Sequence, residues 1–85
     1  MNAVTQAQLD ELVMGALDAR PITAGEVTKL ITDSGSDVRR SAVVRSLERL
    51  CETGKAGYLV APCERNGFMV NGKHWYDVEA YERRS

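Results

Sequence analysis

The sequence has few of the residues that build metal centres, disulfide frameworks or catalytic sites. Its 85 residues include two cysteines and one histidine, which form no C-x2-C or H-x3-H pair, so we expect no metal site. It also lacks a Ser/His/Asp set and a glycine-rich phosphate-binding motif, so we expect no catalytic residues and no cofactor. These scarcities favour a binding protein over an enzyme.

Long apolar runs and a signal-peptide pattern are absent too. We therefore expect a cytoplasmic protein with reduced thiols and no membrane partner. A chain of 85 residues can build only one hydrophobic core, so residues 1–85 are predicted to form a single domain. Such a domain has little room for an internal pocket, and we expect no small-molecule ligand.

Neither sign of charge dominates, since 11 lysines and arginines stand against 12 aspartates and glutamates, a formal net charge of -1. A nucleic-acid-binding surface would therefore have to be a local patch. Several acidic residues lie outside the centre of the chain, namely Asp10, Glu11, Asp18, Glu26, Asp77, Glu79 and Glu82. This distribution leaves room for one basic face in the middle of the chain.

The central stretch, residues 38–54, reads VRRSAVVRSLERLCETG and has the pattern of an amphipathic helix. Its apolar side chains recur with helical spacing, and a glycine ends the pattern, so we predict a helix over about residues 39–53. The buried stripe is predicted to contain Val43, Leu47, Leu50 and Cys51. The opposite face is predicted to carry Arg40, Ser41, Val44, Arg45, Glu48, Arg49 and Glu52.

Positive charge is concentrated in the first two turns of this central helix, at Arg39, Arg40 and Arg45. Cations at a helix N-terminus oppose the macrodipole and cost about 0.3 to 1 kcal/mol each. A negatively charged partner would remove this cost, and the arginine fork fits both phosphate and the acceptor edge of guanine. The alternative is a solvated face that binds nothing.

Two capping boxes, TQAQ and TAGE, mark the starts of two earlier helices. The first helix is predicted over about residues 6–19, where Pro21 ends it. The second is predicted over about residues 24–32. The turn-forming run DSGSD at residues 33–37 then leads into the central helix.

The β-prone runs YLVA, FMV and KHWY follow the central helix, and an Asn-Gly pair separates the last two. A type I′ turn needs two residues at positive φ, so Asn-Gly between β-prone runs is a strong hairpin signal. We predict a hairpin over about residues 57–77 with its tip at Asn71-Gly72, and a loop over residues 63–67. A short helical segment is predicted after Asp77.

This order of elements resembles the winged helix-turn-helix family of DNA-binding domains over residues 8–76. The most specific part is the central helix, in which a serine near the start is followed by a β-branched residue, Arg, Leu-x-x-Leu and a closing Gly. It is similar to the recognition helix of bacterial winged-helix repressors. The resemblance implies an α+β fold with three helices, a small antiparallel β-hairpin wing and a short C-terminal segment.

The resemblance also implies binding of double-stranded DNA, with the central helix in the major groove and the wing on the flanking backbone or the minor groove. The implied DNA-binding residues are Arg39, Arg40, Ser41, Val44, Arg45 and Arg49 on the central helix, Thr23 and Lys29 on the helix before it, and Lys73 and His74 on the wing. Such a protein would regulate transcription, as a repressor, or serve a phage or plasmid. It would need either a homodimer, formed through its first helix and C-terminal segment, or tandem binding sites. The alternative is a winged-helix protein-interaction module.

Overall fold

Four helices and three strands lie along residues 4–84, the part of the chain that the computed structural model describes. They are α1 (Gln6–Ala16), β1 (Ile22–Thr23), α2 (Ala24–Asp33), α3 (Arg40–Glu52), β2 (Ala56–Arg65), β3 (Phe68–Asp77) and α4 (Val78–Arg84). The strands form one antiparallel sheet in the order β1-β3-β2. The predicted α+β class is therefore confirmed. No helix in this part of the chain is long and apolar enough to cross a membrane.

One hydrophobic core joins the first three helices to the sheet. Its buried apolar members are Leu9, Val13, Leu17, Ile22, Ala24, Val27, Ile31, Val43, Leu47, Leu50, Ala56 and Trp75. The apolar stripe predicted for α3 is buried as expected, except that Cys51 is only half-buried. Ser46, which lies outside the predicted stripe, is fully buried.

α1 ends at Ala16 and not at residue 19. The capping box at Thr5 is formed, but Leu17 is already extended, at φ -85° and ψ 147°. The side chain of Asp18 then accepts the Arg20 N–H at 2.6 Å, and such a local bond competes with helical hydrogen bonding. The predicted helix was too long because it was extended to the proline, and a proline restricts only the residue directly before it.

β1 is a two-residue strand that leads directly into α2. Ile22 pairs with Trp75, and Thr23 pairs with His74. The Thr23 hydroxyl also caps α2 by accepting the Glu26 N–H at 3.2 Å. Two residues are too few for a periodic pattern, which is why the sequence did not predict this strand. The bounds of α2 and α3 agree with the prediction to within one residue.

The tip of the hairpin is at Asn66-Gly67, so the predicted tip at Asn71-Gly72 is wrong. Asn66 has φ 53° and Gly67 has φ 82°, the two positive values that a type I′ turn requires. Asn71 lies inside β3 opposite Pro62. The predicted loop over residues 63–67 is also wrong at its start, because its first three residues end β2.

Long-range pairing decides between the two Asn-Gly sites. The observed turn lets the ten residues of each strand pair along their full length, and it places Trp75 opposite Tyr58. A two-residue turn at residues 71–72 would place Trp75 opposite Phe68 and leave the YLVA run without a partner. The longer hairpin therefore satisfies more backbone groups and delivers the tryptophan to the core.

α4 packs on the base of the hairpin through the ring of Tyr81. Tyr81 stacks on Tyr76 with ring centroids 4.3 Å apart, and the Asp77 carboxylate accepts the Ala80 N–H at 3.3 Å, as expected for a cap. Gly57 permits this arrangement, because a Cβ at that position would lie 2.7 Å from the Tyr76 ring. The predicted C-terminal segment is thus a helix held by Tyr76.

Candidate nucleic-acid interface

Arg49, near the end of α3, is part of the contact between α1 and α3. Its Nη2 atom lies 2.8 Å from Asp10 Oδ1, and the two side chains are 33% and 28% exposed. The hydroxyl of the buried Ser46 donates a hydrogen bond to the same carboxylate oxygen. Arg49 was predicted to belong to the DNA-binding face, but the structure places it in this packing contact.

The groups around Asp10 act on the pKa of its carboxyl group in opposite directions. Burial acts to raise this pKa, whereas hydrogen bonds from Arg49 and Ser46 and the charges of Arg49 and Lys55 act to lower it. The second set prevails, so the pKa of Asp10 lies below its usual value. Asp10 is therefore ionised at neutral pH and neutralises the charge of Arg49.

The arginines at the start of α3 have a different environment. Arg39, Arg40 and Arg45 are exposed, and none of them forms an ion pair within residues 4–84. Arg39 is the N-cap residue but makes no capping hydrogen bond with its side chain, and the first turn contains no acidic residue. Exposed Ser41 follows in the same turn. Free N–H groups and guanidinium groups together favour binding of an anion.

A groove of about 210 Å³ separates α3 from the hairpin. Its lining residues are Thr23, Ala24, Arg40, Val44, Glu48, Cys63, Arg65, Gly72, Lys73 and Trp75. Four predicted DNA-binding residues, Thr23, Arg40, Val44 and Lys73, are therefore brought together. Arg65 joins them although it was not predicted, and its position beside the Asn66-Gly67 turn was the signal that could have identified it.

Val44 was predicted to be exposed on the polar face of α3, but it is half-buried. It packs against the hydrophobic core and also lines the groove. Arg40 and Glu48 lie one helical turn to either side of it, so the three side chains share one face of α3. Val44 therefore contributes an apolar floor to the groove.

Lys73 is held against two aromatic rings of the hairpin. Its Nζ atom lies 4.6 Å from the centroid of Tyr58 and 5.7 Å from that of Trp75. The two rings are themselves in contact, with centroids 5.0 Å apart. Cation–π attraction of this kind positions a lysine without neutralising its charge. The exposed ammonium group therefore stays available at the side of the groove.

Two predicted contacts, His74 and Lys29, do not line the groove, and the Thr23 hydroxyl that lies in it is already used within the fold. His74 Nδ1 lies 3.0 Å from the Gly72 carbonyl oxygen, and a carbonyl can only accept, so Nδ1 carries the proton and Nε2 is left for another contact. Thr23 uses its hydroxyl as the cap of α2. Lys29 is exposed on α2 but does not line the groove.

The arrangement as a whole is suited to an extended anion. Basic side chains from the start of α3 and from both strands of the hairpin, Arg40, Arg65 and Lys73, converge on one groove. Comparisons with protein-family models, curated proteins and solved structures give no match to this chain. Its function is therefore inferred from its own geometry and charge.

Proposed function

We propose that this chain is a winged helix-turn-helix protein that binds double-stranded DNA, with α3 in the major groove and the β2–β3 hairpin as the wing. One observation carries the proposal. Arg49 is paired with Asp10, whereas Arg39, Arg40 and Arg45 are exposed and unpaired within residues 4–84, at an uncapped helix start. Unpaired positive charge at the N-terminus of a helix is unfavourable, and a bound anion would remove this cost.

Each basic group has a role that follows from its position. Arg40 is the first residue of α3 and Arg45 lies in its second turn, where an arginine fork can reach guanine edges or phosphate. Lys73 and Arg65, on the opposite side of the groove, would contact phosphates of the same duplex. Lys29, on α2, would bind the backbone farther from the bases. The hairpin contacts set the register, and the α3 contacts select the sequence.

A small regulator of transcription, or an accessory protein of a phage or plasmid, is the function that such an interface serves best. One copy covers few base pairs, so we also propose that the protein acts as a homodimer. An apolar hollow between α1 and α2, with Leu12, Gly15 and the 49% exposed Leu30 among its lining residues, is available for self-association. It shares no residue with the groove beside α3.

Fluorescence anisotropy with a labelled mixed-sequence duplex tests the proposal. We expect micromolar binding by the wild type at low salt and a loss of at least tenfold in the Arg40→Ala/Arg45→Ala variant. Lys55→Ala/Arg83→Ala is the matched control, because it removes the same charge from two basic residues that line neither the groove nor the hollow between α1 and α2. Equal losses in both variants, or no binding by the wild type, would reject DNA binding and favour a protein partner.

A further inference from the structure

The tip of the hairpin carries the two most exposed large apolar side chains of the described residues. Phe68 is 72% exposed and Met69 is 68% exposed, and both directly follow the Asn66-Gly67 turn. Phe68 is the only phenylalanine in the chain. A domain of this size needs its aromatic residues for the core, so folding does not account for this position. Exposed apolar side chains of this kind indicate a binding surface.

The two side chains project from opposite faces of the hairpin. Phe68 lies opposite Arg65, and Met69 lies opposite Glu64; successive residues of a strand alternate between its two faces. A flat partner surface can contact only one face of this ribbon. A slot that receives the end of the ribbon contacts both. The tip is therefore shaped for a groove.

The charge beside the tip indicates which groove this is. Arg65, across from Phe68, lines the same groove as Arg40 and Lys73. The apolar tip is thus continuous with the basic surface assigned to phosphates. In the winged-helix arrangement proposed above, the wing lies at the flanking backbone or the minor groove, and the minor groove is bounded by phosphates and apolar sugar carbons.

We propose that Phe68 and Met69, at the tip of a hairpin that the winged-helix assignment puts at the minor groove, open this groove and bend the DNA. The minor groove of B-DNA is about 6 Å wide, whereas a ribbon with side chains on both faces occupies about 10 Å. Entry therefore requires widening of the groove or unstacking of a base step, both of which kink the duplex toward the major groove by about 20 to 90°. The inference rests on the proposed function.

End-to-end energy transfer tests the bend. A duplex of about 30 bp carries a donor and an acceptor dye at its two ends, and binding is followed by anisotropy in the same samples. We expect the wild type to raise the transfer efficiency. Phe68→Ala/Met69→Ala should bind with wild-type salt dependence and leave the efficiency at its free-DNA value. Val60→Ala, which removes a 60% exposed side chain away from the turn, should bend the duplex like the wild type.

The inference would be wrong, although DNA binding would still hold, if the wild type bound the duplex without changing the energy transfer. It would also be wrong if Phe68→Ala/Met69→Ala bent the duplex as much as the wild type does. Loss of wild-type self-association in that variant, with the bend unchanged, would assign the tip to a contact between copies of the chain and also overturn the inference. Absence of any duplex binding by the wild type would overturn it together with the proposed function.

Discussion

Arg49 on α3 forms a salt bridge with Asp10 on α1, with Nη2 and Oδ1 2.8 Å apart. Replacing Asp10 by Ala leaves Arg49 without its carboxylate and deprives the buried Ser46 hydroxyl of its acceptor. Because both charged side chains are about 30% exposed, solvent screens part of the effect. We expect a loss of about 1 kcal/mol in the free energy of unfolding, measured by urea titration. Glu11→Ala, at the adjacent exposed position, should cost less, and an equal cost would contradict the assignment.

Acid should weaken the same contact. The pKa of Asp10 is lower in the folded protein than its usual value, so its contribution to stability is complete above the unfolded pKa of about 3.9. It is lost as the pH falls through the lower folded pKa. Urea titrations of the wild type and Asp10→Asn at several acidic pH values should converge as the pH decreases. A stability difference independent of pH would show that the ionised carboxylate is not responsible.

The position of the hairpin tip predicts which of two Asn-Gly sites depends on glycine. Gly67→Ala places a Cβ at φ 82°, and we expect it to cost about 1 to 2 kcal/mol in the free energy of unfolding. Asn71→Ala changes an exposed residue in the middle of β3 and should change this free energy by less than about 0.5 kcal/mol. Thermal or urea unfolding of the two variants measures both effects. A larger loss for Asn71→Ala would place the turn at Asn71-Gly72.

Glu48 is the one carboxylate among the groove-lining residues. A negative charge beside phosphates is repulsive, so Glu48→Gln should raise the affinity for mixed-sequence duplex DNA by about two- to tenfold at low salt. Glu52→Gln removes the same charge from an exposed position of α3 outside the groove and should leave the affinity within about twofold of the wild type. Anisotropy titrations compare the two variants. A fall in affinity for Glu48→Gln would mean that the carboxylate contacts a base, as carboxylates do with cytosine.

Local signals predicted the helices well, since a threonine N-cap starts each of α1 and α2 and the apolar stripe identifies α3. The full capping box is present at Thr5, and at Thr23 the hydroxyl accepts the Glu26 N–H. The span of the hairpin was predicted, but its tip was not. Asn-Gly occurs twice in the hairpin, and only the pairing of Trp75 with Tyr58 and Ile22 selects the first copy. That pairing is between residues far apart in the sequence, which a local motif does not report.

The sequence predicted only part of the candidate site, because contacts between distant residues also decide which basic side chains are neutralised. Exposure of Arg39, Arg40 and Arg45 follows from their spacing on a helix, as expected from the sequence. Arg49 has a similar spacing, but its role depends on Asp10 on another helix. Arg65 lines the groove because the hairpin turn lies directly after it, and the sequence predicted that turn at Asn71-Gly72. Packing between elements therefore decides which basic residues remain available to a partner.

The salt dependence of DNA binding tests the central claim most directly. Each phosphate contact that is lost should reduce the slope of log K against log salt concentration by about 1. We predict a slope shallower by about 1 to 2 for Arg40→Ala/Arg45→Ala than for the wild type. The Lys55→Ala/Arg83→Ala variant should keep the wild-type slope. Equal slopes for the wild type and the Arg40→Ala/Arg45→Ala variant would contradict the account.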